Sequence, residues 1–154
     1  MIYCNDYIRL TKSYLRNLVY YRVAISNMTE DIKEDAESIG TAKIASYETN
    51  PGGTSELNGV EASAEKSMRC TEQMRQLIKL QRQVKKLERC IENLSADEKE
   101  AVRMFYLYRQ TYEEMSSSLH ISISTCRRRV SKGTKAVAVM LFGERAGEQI
   151  QFAS

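Results

Sequence analysis

Two long stretches of this sequence repeat apolar residues at alternating steps of three and four. The first runs Tyr7, Thr11, Tyr14, Leu18, Tyr21, Ile25, Met28, Ile32. After its first turn the second does the same, through Cys70, Met74, Leu77, Leu80, Val84, Leu87, Ile91 and Leu94. Such a period gathers each set on one side of an α-helix, as a coiled-coil seam does. Thr11 is the only polar member of the first seam. A chain held to this pattern over much of its length is expected to be all-α. One proline and seven glycines in 154 residues agree, since turn-rich β folds use many more.

The first helix is expected over about 5–38, with Gly40 close to its end. Residues 41–59 lose the period and contain Asn50-Pro51-Gly52-Gly53-Thr54-Ser55, which predicts a mobile loop. The second helix is expected over about 60–93. Residues 1–94 thus predict a long two-helix coiled-coil hairpin. Its narrow seams bury little, so a homo-oligomer is expected, with a dimer as the favoured form.

The section 95–143 has a different grammar. Ser95-Ala96-Asp97-Glu98 and Thr111-Tyr112-Glu113-Glu114 both have the form of a capping box, a hydroxyl at the N-cap and a carboxylate three residues on. Behind the first, Ala101, Val102, Phe105, Tyr106 and Leu107 make an apolar face. The second opens a short helix ending near Leu119. His120 and Ile121 make a tight turn, and Ser122 is placed to cap a third helix running from Ile123 toward Leu141. Cys126, Val130 and Val137 mark its inner side, while Arg127, Arg128, Arg129, Lys132 and Lys135 fall among its outer positions. A short capped helix, a three-residue turn and a longer basic helix form a helix-turn-helix. Residues 144–154 are left as a tail.

Catalysis finds few footholds. His120 is the only histidine and has no Cys, Asp or Glu beside it in sequence. The glycines form neither GxGxxG nor GxxxxGK[ST]. The carboxylate pairs Asp97/Glu98 and Glu113/Glu114 open helices, where the macrodipole favours negative charge. Cys4, Cys70, Cys90 and Cys126 are too far apart for a zinc clip, so no metal and no cofactor is expected. The chain is expected not to be an enzyme. Its mean hydropathy is −0.47 and its longest apolar run, Ala136 to Phe142, is too short for a membrane span. With no apolar leader at the start, reduced cysteines and a cytoplasmic, nucleoid-associated protein are expected.

Over about Leu94 to Val137 the chain resembles region 4 of bacterial sigma factors, through the stretch LSADEKEAVRMFYLYRQTYEEMSSSLHISISTCRRRV that runs from Leu94 to Val130. Leu94-Ser95 before a charged first turn, Tyr112-Glu113-Glu114-Met115 and Ile121-Ser122 carry that likeness. His120 stands where that module usually has Gly, and Ser116 where it has Ala. The whole layout, with Ile44-Ala45-Ser46-Tyr47 in the loop and Met140-Leu141-Phe142-Gly143 at the close, is similar to phage late-transcription regulators of the RinA/ArpU type. The resemblance implies sequence-specific binding of double-stranded DNA and activation of late or packaging genes, with host RNA polymerase as a second candidate partner. In the recognition helix Ser124, Thr125, Arg127 and Arg128 are expected to read base edges. Thr111, Tyr112, Ser122, Lys132 and Lys135 are expected to fix register on phosphates. A phage terminase small subunit, a coiled-coil polymerase-binding adaptor and a minimal sigma-like factor are the alternatives.

The net charge of +3 conceals alternating blocks. Residues 1–62 carry −3, 63–93 carry +4, 94–120 carry −2 and 121–154 carry +4. The last positive block begins where the recognition helix does, which ties the charge to a nucleic-acid partner.

Overall fold

A computed structural model describes residues 4–48, 56–143 and 145–146. The protein is all-α, and the described residues contain no strand. Its elements are α1 (Cys4–Glu48), α2 (Glu56–Glu92), α3 (Ala96–Val102), a π-helical turn (Arg103–Leu107), α4 (Tyr112–Leu119) and α5 (Ile123–Phe142). They form two compact units. One comprises residues 1–21 and 83–154; the other comprises residues 22–82.

Both long helices outrun the sequence expectation. Gly40 does not end α1, which continues to Glu48, and α2 starts at Glu56 rather than near residue 60. A glycine ends a helix by taking a left-handed conformation. Gly40 does not take one, and a side chain there would meet open space. The expected loop over 41–59 shrinks accordingly. Residues 49–55, with the Pro-Gly-Gly segment, lie outside the described residues, as does most of the tail.

In the first unit the start of α1, the end of α2 and all later helices share one core. Thr11, Leu15 and Leu18 enter it from α1, and Val84, Leu87, Cys90 and Ile91 from α2. Leu15 was not part of the periodic set, yet it is fully buried. Thr11, the polar member of the seam, is equally buried and donates its hydroxyl proton to the Tyr7 carbonyl at 2.8 Å, so no polar group is stranded. The Tyr7 ring packs on Phe142 at 5.0 Å. Glu92 accepts from Lys99 at 3.2 Å and pairs with Arg103; the Lys99 hydrogen bond leads in holding its carboxyl below the usual range.

The second unit is a helical hairpin of residues 22–48 and 56–82. Here the seam departs from expectation. Leu77 is buried, but Met74 is exposed and Cys70 only half-buried.

Gly133 explains how α3 and α5 come together. A Cβ at this position would stand 2.6 Å from Val102 Cγ2 and 3.4 Å from the Glu98 carbonyl oxygen. The helix accepts a poor helix former because only a missing side chain permits the approach. Gly133→Ala is expected to lower stability. Overpacking against a stiff, fully buried valine costs about 1–3 kcal/mol, which outweighs the ~1 kcal/mol that alanine returns in helix propensity. Thermal unfolding measures this directly, and an unchanged or raised midpoint would show that α3 yields freely at this crossing.

Candidate nucleic-acid interface

The turn between α4 and α5 is built by short-range hydrogen bonds. His120 takes the left-handed conformation, φ 54° and ψ 40°, and its N–H bonds the Ser116 carbonyl. Ile121 N–H also reaches that carbonyl at 3.3 Å, and Ser116 Oγ donates to the Ile121 carbonyl at 2.6 Å. The serine at this crossing therefore locks the turn rather than merely fitting it.

Both expected caps around this turn form. Thr111 Oγ1 accepts from Glu114 N at 3.2 Å, and Thr111 N donates to Glu114 Oε2 at 2.7 Å, closing a reciprocal box. Ser122 Oγ accepts from Thr125 N at 3.2 Å and also pairs with the Thr125 hydroxyl at 2.8 Å. The box expected at Ser95 does not form. Ser95 occupies the N-cap of α3 but makes no side-chain cap bond. Its would-be partner Glu98 instead pairs with Lys132 at 3.3 Å.

Packing sorts the cations of α5 by direction. Cys126, Val130, Gly133, Thr134, Val137 and Ala138 are buried and define the inner side. At roughly 100° per residue, Ser124, Arg128, Ser131 and Lys135 fall within a strip of about 60° outside that inner side, Arg128 turned furthest from it and Ser131 nearest to it. All four are exposed. Ser131 carried no signal in the sequence beyond being a small polar residue; only the rotation of α5 places it between Arg128 and Lys135.

The remaining assigned residues flank this strip. On the α3 side, Arg129 pairs with Asp97 at 2.9 Å and Lys132 with Glu98 at 3.3 Å. Lys132 is therefore neutralised in part, although its side chain stays largely exposed. On the α4 side, the Arg127 guanidinium lies over the Tyr112 ring at 5.3 Å, and that ring stacks on Phe105 at 4.8 Å. Tyr112 is thus a packing residue that orients Arg127. The Thr125 hydroxyl is spent on Ser122, so Ser124 is the more outward-facing of the two small residues at the start of α5.

A cleft of about 400 Å³ opens beside the start of α4, lined by Arg16, Arg109, Thr111, Tyr112 and Glu113 among others. Arg109 also has a positive φ of 54°. Its guanidinium donates to the Arg16 carbonyl at 3.2 Å and lies over the Tyr20 ring at 5.2 Å. The capped end of α4 carries Glu113 and Glu114, which repel an approaching anion. Arg16 and Arg109 offset that repulsion. Sequence reasoning missed them because 93 positions separate the pair. No cluster of His, Cys, Asp and Glu among the described residues is arranged to hold a metal ion, and no described helix is long and apolar enough to cross a membrane.

Residues 85–137 match the family model described as Sigma-70, region 4. The match takes in the last two turns of α2, which share the core of this unit, and ends on Val137 of α5. The chain therefore carries a sigma region 4-like helix-turn-helix. No curated protein and no solved structure matches the chain. The caps make a direct test of this local architecture. Thr111→Ala and Ser122→Ala should each cost about 1 kcal/mol in denaturant unfolding, and Ser95→Ala should cost close to nothing. Equal losses at all three positions would contradict the cap assignments.

Proposed function

We propose that this chain is a sequence-specific DNA-binding transcriptional regulator that acts without enzymatic chemistry. One observation carries it: the exposed strip Ser124, Arg128, Ser131, Lys135 on the second helix of a region 4-like helix-turn-helix. A helix of this kind fits a major groove about 12 Å wide. Small residues lead it, so the backbone can approach base edges. Arg128 offers a guanidinium fork suited to guanine O6 and N7. Lys135 meets a phosphate further along the strip. Arg127, steered by Tyr112, together with Arg109 and Arg16, holds the strand that passes the start of α4.

Within this function we favour a phage or prophage late-gene activator of the RinA/ArpU type, working in the bacterial cytoplasm as a dimer on two half-sites and contacting host RNA polymerase. The layout of two seamed helices before the module supports it. A terminase small subunit would instead assemble as a ring of many protomers, which native mass spectrometry distinguishes from a dimer. A minimal sigma-like factor would start transcription with added core polymerase alone. A polymerase-binding adaptor would show no salt-sensitive binding to duplex DNA.

Selection of bound duplexes from a random pool should return a defined sequence whose affinity falls steeply with salt. On that sequence Arg128→Ala should cost about 1–3 kcal/mol and relax the preference at one base pair. Lys135→Ala should weaken all sequences alike and lower the salt slope by about 1. Arg129→Ala, whose cation is paired with Asp97, should change binding little. Unchanged binding by Arg128→Ala would show that another face reads the DNA.

A further inference from the structure

From Tyr7 to Tyr21 α1 carries three cations, Arg9, Lys12 and Arg16, and no acid. The net −3 of residues 1–62 hides this, because every acid of that block except Asp6 lies beyond residue 29. All three cations are exposed, and among the described residues none of them is ion-paired. At roughly 100° per residue they fall within about 60° of one another, outside the arc that buries Thr11, Leu15 and Leu18. At a rise of ~1.5 Å per residue the row from Arg9 to Arg16 is about 10 Å long.

Two contacts tie this stretch of α1 to the surface assigned to DNA. At one end Arg16 lines the cleft beside Thr111 and Tyr112 at the start of α4, where Arg109 bonds its carbonyl. Arg9 and Lys12 share the side of α1 that Arg16 occupies, so the row continues out of that cleft. At the other end Tyr7 packs on Phe142. Phe142 lies seven residues beyond Lys135. That places it about 20° from Lys135 around α5, in line with the strip Ser124, Arg128, Ser131, Lys135. α1 therefore lies across the strip where it ends, and Arg9, about 160° from Tyr7 around α1, stands on the side away from α5. In this way α1 joins the far end of the reading strip to the phosphate cleft of α4, with a basic row along its length.

We infer that Arg9, Lys12 and Arg16 form a second phosphate-binding row, on which α1 follows one strand of the duplex next to the base pairs that α5 reads. A strand presents one charge per ~3.4 Å of helix axis, so a row of this length meets about two or three of them. Contacts to phosphate position a protein without reading sequence, so the row adds affinity and register and leaves the choice of bases to α5. The inference rests on the function proposed above, and it extends the interface to a helix outside the residues 85–137 that match the family model.

The test uses the full chain and the duplex it selects. Arg9→Gln/Lys12→Gln should lower the slope of log affinity against log salt by about 2 and weaken selected and unrelated duplexes alike, with the base preference unchanged. Ethylating the duplex one phosphate at a time should locate phosphates that matter to the unaltered chain and no longer to this variant. An unchanged slope, or a changed base preference, overturns the inference. If circular dichroism shows the variant unfolded, acylation of lysine amines on the unaltered chain decides the matter. Bound duplex should slow the acylation of Lys12 as it slows that of Lys135. Lys135 shielded while Lys12 reacts as in the free chain overturns the row and leaves the α5 assignment standing. Neither lysine shielded, or no binding to any duplex, overturns the proposed function together with the row.

Discussion

The crossing of α3 over α5 at Gly133 fixes the geometry of everything that faces outward. With no side chain at that point, Val102 and the backbone of Glu98 lie directly against α5. Asp97 and Glu98 are then within reach of Arg129 and Lys132. The ion pairs do not set this arrangement. Exposed pairs contribute about 0–1 kcal/mol each, whereas burying Val130 and Val137 contributes roughly 1.5–3 kcal/mol apiece. Apolar packing chooses the rotation of α5, and the pairs form where that rotation leaves them. The same rotation turns Arg128 and Lys135 to the outside.

A second clamp holds the other flank. The π-helical turn closes through Tyr108 N–H to the Arg103 carbonyl at 3.0 Å, a five-residue step. The wider turn lets both Met104 and Tyr106 enter the core. Thr134 Oγ1 donates to the Val130 carbonyl at 2.7 Å, so its lone pairs are left for the Tyr106 hydroxyl at 3.1 Å. Burial pushes the Tyr106 phenol above its ordinary pKa, and the neutral form it favours is the one that can donate. Phe105 meets Tyr106 edge-on at 4.9 Å and stacks on Tyr112, which in turn carries Arg127. Core and surface are thereby linked through three rings.

The sequence announces what is local and conceals what is not. The Thr111 box, the Ser122 cap and the tight turn at His120 each depend on neighbours within a few residues, and all three appear as expected. Ser95 has the same local signature as Thr111 but makes no cap bond, and Glu98 is paired instead with Lys132, 34 residues away. Gly40 has the signature of a helix stop and is none, because nothing in its surroundings demands the left-handed turn. Met74 fits the heptad, but the pairing of α2 with α1 runs through Leu77 and turns Met74 outward. The five cations of α5 look equivalent in sequence. Their division into paired, aromatic-bound and outward-facing groups comes from partners on α3 and α4. Arg16 and Arg109 had no signal at all until the fold brought them to one cleft.

That division bears on how tightly a single module can hold DNA. Affinity for the duplex comes chiefly from released counterions, with a slope of about 0.9 per phosphate neutralised. A count of basic residues over the helix-turn-helix overstates this number, since Asp97 and Glu98 already occupy Arg129 and Lys132. What remains is Arg127, Arg128 and Lys135, joined by Arg16 and Arg109 at the cleft. Coupling two modules makes the second contact intramolecular, and avidity then exceeds either affinity by about 10²–10⁴ without any new contact. The dimer proposed for this chain would supply that coupling.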